Sequence, residues 1–176
     1  FTGCILPALD GRLADCAAAA EALAGLSVKH ALPLWAGYSK LFRGIVGLVS
    51  GEIGKGDSLA AEGMAEMLDA AAFLRFCLVF HADACLVAGL TEKARQSLTL
   101  SRLTSEQREN WLTAEVLRLE AVIAWQERQA PERASGLLER AEAVALRQGA
   151  HRFRQRIAAT RDQIIPTAPS RPSRSI

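Results

Sequence analysis

Apolar residues recur every three or four positions along most of this chain, and short clusters of glycine, proline or polar residues separate the periodic stretches. This spacing puts apolar side chains on one face of a helix, whereas a buried parallel sheet would need continuous β-branched runs. Between the breaks we predict eight helices, at 10–32, 34–50, 57–71, 73–88, from 91 onward, 106–128, 131–149 and 151–164. The pattern therefore predicts an all-α protein.

Residues at the predicted helix ends support this division. Asp57 or Ser58 is expected to cap the third helix, and Thr91 the fifth. Gly89 is expected to end the fourth helix, and Pro131 occupies a favoured first-turn position of the seventh. Each break thus has its own chemical cause, which favours separate helices over one long one.

Small residues recur with a period of about 34 to 40 positions, which indicates an internal repeat. In the clearest unit, Ala82 lets the next helix approach closely, Ala94 receives it, and Leu98 fills the groove between the two. That unit comprises Leu78, Ala82, Cys85, Gly89, Ala94, Leu98 and Ser101. The preceding unit has Gly44, Gly51, Gly56, Ala60 and Gly63, and the following one has Ala121, Ala134, Leu138 and Ala141. We therefore predict a stack of antiparallel helix pairs.

The composition mainly excludes alternatives. Hydrophobic residues make up 50% of the 176 residues but aromatic ones only 6%, which suits one helical domain rich in alanine and leucine. A net charge of +2 gives no reason to expect nucleic acid or a membrane surface as the main partner. The four cysteines are too sparse for a disulfide scaffold, so we expect reduced thiols in a cytoplasmic protein. We predict a helical domain at 1–165 and a disordered, proline-broken tail at 166–176.

The most apolar stretch, 70–90, is interrupted by Arg75, His81 and Asp83. A membrane-spanning helix needs about 20 apolar residues, and no charge-free run here approaches that length. We therefore expect this stretch to be a helix buried in a bundle.

Two segments suggest chemistry at first sight. Cys77, His81 and Cys85 fall four residues apart on one helix face, but His81 and Cys85 occupy packing positions of the repeat, so we predict no metal site. The glycine-rich segment 51–58 lacks the spacing of a phosphate-binding loop, so we interpret it as a helix-breaking turn. We predict no catalytic residues and no cofactor.

Charged residues are expected to face solvent. Glu115 and Arg118 lie among alternating charges on the predicted sixth helix, which is typical of an ion-paired surface. Arginine is frequent from Arg147 to the end of the chain, without the interleaved aromatic residues of a nucleic-acid surface. We interpret this region as a solvated terminal helix with a flexible tail.

Four stretches resemble the C-terminal helical-repeat region of large bacterial signalling proteins, namely 29–36, 63–64, 111–121 and 137–150. In that family a P-loop ATPase module, preceded by a class III adenylate cyclase domain or a DNA-binding winged helix, lies upstream of the repeats. The resemblance covers roughly 16–161 and implies a right-handed, tetratricopeptide-like stack that acts as a sensor or scaffold. The chain opens at Phe1, which we take to indicate a segment of a longer protein. It departs from the family pattern at Glu120-Ala121, where family members usually have glycine.

The resemblance also implies a concave binding surface, formed by the first helix of each pair. Carried onto this chain, its positions are Tyr38, Leu41, Ile45, Phe76, Val79, Asp83, Arg118, Val122 and Trp125. Large apolar side chains among them suit a groove for a peptide or a helix, from a partner or from an upstream NTPase domain. The alternatives are a spacer or homodimerisation segment, a free-standing adaptor, and an enzyme on a helical bundle.

Overall fold

The structure is a computed structural model that describes residues 2–68, 71–103, 111–127 and 131–164. Within these ranges the chain is helical with short turns and contains no strand, so the predicted all-α class is confirmed. The helices are α1 (Thr2–Leu9), α2 (Leu13–Lys29), α3 (Pro33–Val49), α4 (Ile53–Ala65), α5 (Ala71–Val87), α6 (Thr91–Leu103), α7 (Thr113–Gln126), α8 (Pro131–Arg147) and α9 (His151–Ile164). None of these described helices combines the length and the apolarity needed to cross a membrane.

The chain divides into two compact units, 1–108 and 109–176. In the first unit, α1 packs on α2, α2 on α3, α3 on both α4 and α5, and α5 on α6. In the second unit, α7, α8 and α9 pack on one another. Each unit therefore buries its own apolar faces mainly between helices that follow one another in sequence, and also between α3 and α5 and between α7 and α9.

Aromatic rings join α3 to α5 in the first unit. Phe42 of α3 lies 6.1 Å from Phe80 of α5, and Phe76 lies 4.5 Å from Phe80, measured between ring centroids. Tyr38 continues this cluster 5.5 Å from Phe42. Ring pairs at such distances attract each other beyond the gain from burial alone.

The pair α3–α4 is packed backbone against backbone. A methyl group added at Gly44 would lie 2.5 Å from the Ala60 nitrogen, and one added at Gly63 would lie 2.5 Å from the Gly37 oxygen. Since Gly37 meets Gly63 whereas Gly44 meets Gly56, the contacts run in opposite directions along the two helices. The close approach predicted from small residues is therefore present in this pair.

Five helices end in the same turn, in which an N–H bonds back to the carbonyl five residues earlier. At Leu32 this bond reaches Ser27 over 2.9 Å, and at Glu52 it reaches Gly47 over 2.8 Å. The residue before it takes a positive φ, which favours glycine. These residues are Gly11, Ala31, Gly51, Gly89 and Gly149. Ala31 is the exception, a non-glycine held at φ 50°.

Several predicted boundaries need correction. α1 was not predicted, and α4 begins at Ile53, before Asp57 and Ser58, so neither residue caps it. The glycines in 51–56 were interpreted as helix breakers, but Gly56 lies inside α4 because its missing side chain lets α3 approach. The start predicted for the sixth helix, 106–110, and the tail predicted to be disordered, 166–176, lie outside the described residues.

Candidate functional site

Six of the nine residues predicted for the concave surface are buried. Tyr38 and Leu41 are both 0% exposed, because α3 is covered by α2, α4 and α5. The six are Tyr38, Leu41, Ile45, Phe76, Val79 and Arg118. The other three, Asp83, Val122 and Trp125, keep accessible surface. Of the residues predicted for the concave surface, only these three are accessible in the structure.

Arg118 takes part in a buried ion network of the second unit. Its guanidinium donates two hydrogen bonds to the Glu115 carboxylate, at 2.7 and 3.1 Å. Its Nη1 donates a hydrogen bond to the Thr160 hydroxyl of α9, at 3.1 Å. Arg156 of α9 reaches the same carboxylate at 2.9 Å. The prediction of a solvated surface is wrong for Glu115 and Arg118, because α9 covers this side of α7.

Two arginines of α9 have acidic partners within their own unit. Arg154 pairs with Glu142 of α8 at 2.9 Å, and Arg156 pairs with Glu115 as described above. Part of the positive charge of this helix is therefore neutralised by its neighbours.

A compact polar group of the first unit surrounds His81 of α5. The His81 Nδ1 lies 2.9 Å from the Ser97 hydroxyl of α6, and its Nε2 lies 3.4 Å from the Cys85 sulfur. The Nε2 also faces the Asp57 carboxylate of α4 at 3.9 Å. Asp57 is in turn paired with the Lys93 ammonium of α6. We refer to these five residues as the His81 cluster.

Burial governs the electrostatics of this cluster. His81 is 5% exposed, and burial lowers the pKa of its imidazole below the usual 6.5; Asp57 acts to raise this pKa and Lys93 to lower it. The proton of the neutral ring is assigned to Nε2, which faces the carboxylate, so that Nδ1 accepts the Ser97 hydroxyl hydrogen. Burial also raises the pKa of the Cys85 thiol to about 12, which keeps it protonated.

A serine, an imidazole and a carboxylate in this order invite comparison with a hydrolase triad. The 3.9 Å between Nε2 and the Asp57 oxygen exceeds hydrogen-bond length, and that carboxylate is already engaged by Lys93. Ser97 is 7% exposed, so its hydroxyl faces the interior rather than a substrate. The arrangement fits a packed polar contact between helices better than a reacting centre.

Cys77, His81 and Cys85 of α5 are all buried. Burial was predicted for His81 and Cys85 from their packing positions in the repeat. Within the described ranges, no group of three or more His, Cys, Asp or Glu residues is placed to hold a metal ion. Burial raises the pKa of the Cys77 thiol to about 12.

The glycine-rich segment 51–58 borders a shallow cleft between α2, α3 and α4. The cleft has a volume of about 190 Å³, and its charged lining consists of Glu21, Arg43, Glu52 and Lys55. Arg43 pairs with Glu21 at 2.6 Å and Lys55 with Glu52 at 3.2 Å, so its cations and anions are matched across the lining.

Sequence reasoning missed Asp57, Lys93 and Ser97 as neighbours of His81. They come from two other helices, and Asp57 was interpreted as a helix cap. A signal was nevertheless present in the repeat register, because Lys93 and Ser97 each directly precede one of its packing positions. Charged or polar residues beside such positions lie at the edge of the interhelical contact.

Comparison with known proteins identifies no relative: no family model, no curated protein and no solved structure matches this chain.

Proposed function

We propose that this chain is a non-catalytic protein-interaction or regulatory module built from tetratricopeptide-like pairs of antiparallel helices. We place it as the C-terminal segment of a larger bacterial signalling ATPase, adenylate cyclase or transcriptional regulator. The backbone contact of α3 and α4 at the small residues of the repeat supports the paired-helix arrangement. Free thiols at all four cysteines are compatible with a reducing, cytoplasmic setting, which is part of the proposal.

The observation that carries the interaction role is the exposure of Trp125 at the end of α7. Its side chain is 37% exposed, and Val122, one turn earlier, keeps part of its surface accessible. Residues three apart share a helix face, and tryptophan is enriched at the energetic centres of protein interfaces. This edge would receive the apolar side of a peptide or an amphipathic helix. Binding would regulate an upstream NTPase only if the partner prefers one of its two states.

Photocrosslinking in the source cells tests this role directly. A photoreactive amino acid replaces Trp125 in one variant and Gln155, an exposed polar residue of α9, in the control. A discrete adduct with one protein or with an upstream domain, formed from position 125 and not from 155, is the expected result. The same yield from both positions, or none from either, would contradict the proposal.

The alternative is a spacer or homodimerisation segment, and the same experiment separates it. An adduct between two copies of this chain from position 125, with a mass in light scattering that doubles as concentration rises, would assign this edge to self-association. A monomer at all concentrations with an adduct to a different protein would support the interaction module.

A further inference from the structure

His81 lies where two helical hairpins of the first unit meet. One hairpin is α3–α4 and the other is α5–α6, and α3 packs directly on α5. The imidazole bonds to Ser97 within its own hairpin and faces Asp57 of the other. Lys93 closes the arrangement, because its ammonium pairs with Asp57 across the same boundary. The His81 cluster therefore forms the polar part of the contact between the hairpins.

The rest of that contact responds differently to acid. Beside His81, α3 meets α5 through the uncharged rings of Phe42 and Phe80. Within the described part of the chain, the charges that act on the imidazole are Asp57 from α4 and Lys93 from α6. The neighbouring thiol of Cys85 stays protonated across the neutral range. Histidine is the side chain whose ordinary pKa falls between about pH 5 and 8. His81 is therefore the group of this contact that mild acid protonates.

We propose that the His81 cluster is an acid-sensitive joint: protonation of His81 loosens the contact between the hairpin α3–α4 and the hairpin α5–α6.

The geometry gives two reasons for the loosening. A proton on Nδ1 turns an acceptor into a donor, so the Ser97 hydroxyl, which now donates over 2.9 Å, must rotate to accept instead and leaves its own buried hydrogen without this acceptor. The new positive charge would sit in a ring that is 5% exposed and near the Lys93 ammonium. Asp57 offsets only part of this cost, since it lies 3.9 Å away and already neutralises Lys93.

The sign of the pH effect follows from linkage. Because the folded pKa of His81 lies below the unfolded value of 6.5, the unfolded chain takes up the proton first as pH falls. The cluster's contribution is therefore complete above pH 6.5 and is lost between that pH and the folded pKa. Over that interval the folding constant falls by up to about tenfold per pH unit, and the loss levels off below it.

Two measurements on the full chain test the proposal. The first follows the imidazole signals by NMR between about pH 8 and 5. The His81 signal is identified by its loss in His81→Gln, and we expect it to titrate below pH 6.5. We expect Asp57→Asn to move its midpoint down and Lys93→Met to move it up, because these charges act on the ring with opposite signs.

The second measures amide hydrogen exchange at both ends of that range, corrected for the intrinsic pH dependence of exchange. Acid should increase opening in α4 and α6 of the wild type, whereas α8 of the other unit serves as the internal reference. In His81→Gln that increase should disappear.

The proposal is overturned by a His81 midpoint at or above 6.5, or by equal acid-induced opening in the wild type and His81→Gln. If His81→Gln does not fold, the His81 signal is identified as the one retained in both His30→Gln and His151→Gln, and the opposite shifts expected for Asp57→Asn and Lys93→Met decide the question. Failure of either charge variant to shift the His81 midpoint overturns the proposal as well. These outcomes do not depend on whether Trp125 binds a partner.

Discussion

Replacing Gly44 by alanine adds one methyl group between α3 and α4. Its carbon would lie 2.5 Å from the Ala60 nitrogen, 2.6 Å from the Gly56 oxygen and 2.8 Å from the Ala60 Cα. All three atoms belong to the backbone of α4, so no flexible side chain can move aside. To restore ordinary contact the two helices must separate by roughly 1 Å, which opens gaps along the whole pair.

Two opposing effects set the magnitude. Alanine favours the helix over glycine by about 1 kcal/mol. Overpacking a tight contact typically costs about 1–3 kcal/mol, and here the obstacle is rigid backbone at three points. We expect the steric cost to lie in the upper part of this range and to exceed the propensity gain, so that Gly44→Ala lowers the free energy of unfolding by about 1–2 kcal/mol. Gly25→Ala is the matched control, because a methyl group there meets nothing within 4 Å. This control should be stabilised by up to about 1 kcal/mol.

The assay is urea unfolding followed by the fluorescence of Trp35, which lies in α3. Trp111 and Trp125 are changed to phenylalanine in every variant, so that the signal reports on the first unit alone. The reasoning is refuted if Gly44→Ala is as stable as Gly25→Ala, since a methyl group would then fit where the two backbones are closest.

Three further predictions test other parts of the fold: the first by the same urea unfolding, the second by urea unfolding followed through Trp111 and Trp125 of the second unit with Trp35 changed to phenylalanine, and the third by thiol labelling. Ala31→Gly should stabilise the chain by about 1 kcal/mol, because the φ of 50° is strained for alanine, whereas Gly51→Ala should destabilise it by a similar amount; equal effects of the two would refute the turn assignment. Glu115→Gln should lower the free energy of unfolding by about 3–5 kcal/mol, because two guanidiniums lose their buried carboxylate. Glu142 is more exposed, so Glu142→Gln should lower it by less than about 1 kcal/mol. Similar losses in the two variants would argue against burial of the network. Cys85 should react with a thiol reagent only as fast as the chain opens, because burial raises its pKa to about 12; rapid labelling of the folded chain would contradict that placement.

The sequence predicted well where a single local signal decides the structure. The predicted eighth helix, 151–164, coincides with α9. The predicted break at Gly89 matches the C-terminal end of α5, and α8 begins at Pro131, within the predicted first turn. Each of these boundaries depends on one residue whose backbone preference is strong whatever surrounds it. Gly56 is the opposite case. Its local backbone preference suggested a break, but Gly56 lies inside α4, where the close approach of α3 requires a residue without a side chain.

The candidate site was harder to predict because its residues are distant in sequence. Glu115 and Arg118 are three residues apart on one helix, and in the sequence this spacing looks the same whether the helix face is solvated or buried. What distinguishes the two is Thr160 and Arg156, which α9 brings against them. The His81 cluster poses the same difficulty, since Asp57 lies on another helix and a wrong boundary for α4 hid it.

The contact within the hairpin α3–α4 differs in kind from the contact between the two hairpins of the first unit. This difference decides where that unit can change shape. Between α3 and α4 the glycines leave backbone in contact with backbone, and backbone has no rotamers to exchange. Between the hairpins the contact consists of side chains, namely the rings of Phe42 and Phe80 and the polar groups around His81. Packed interfaces switch between discrete arrangements rather than deform smoothly. A partner or a proton that shifts this unit would therefore act by moving α3–α4 as one rigid element against α5–α6.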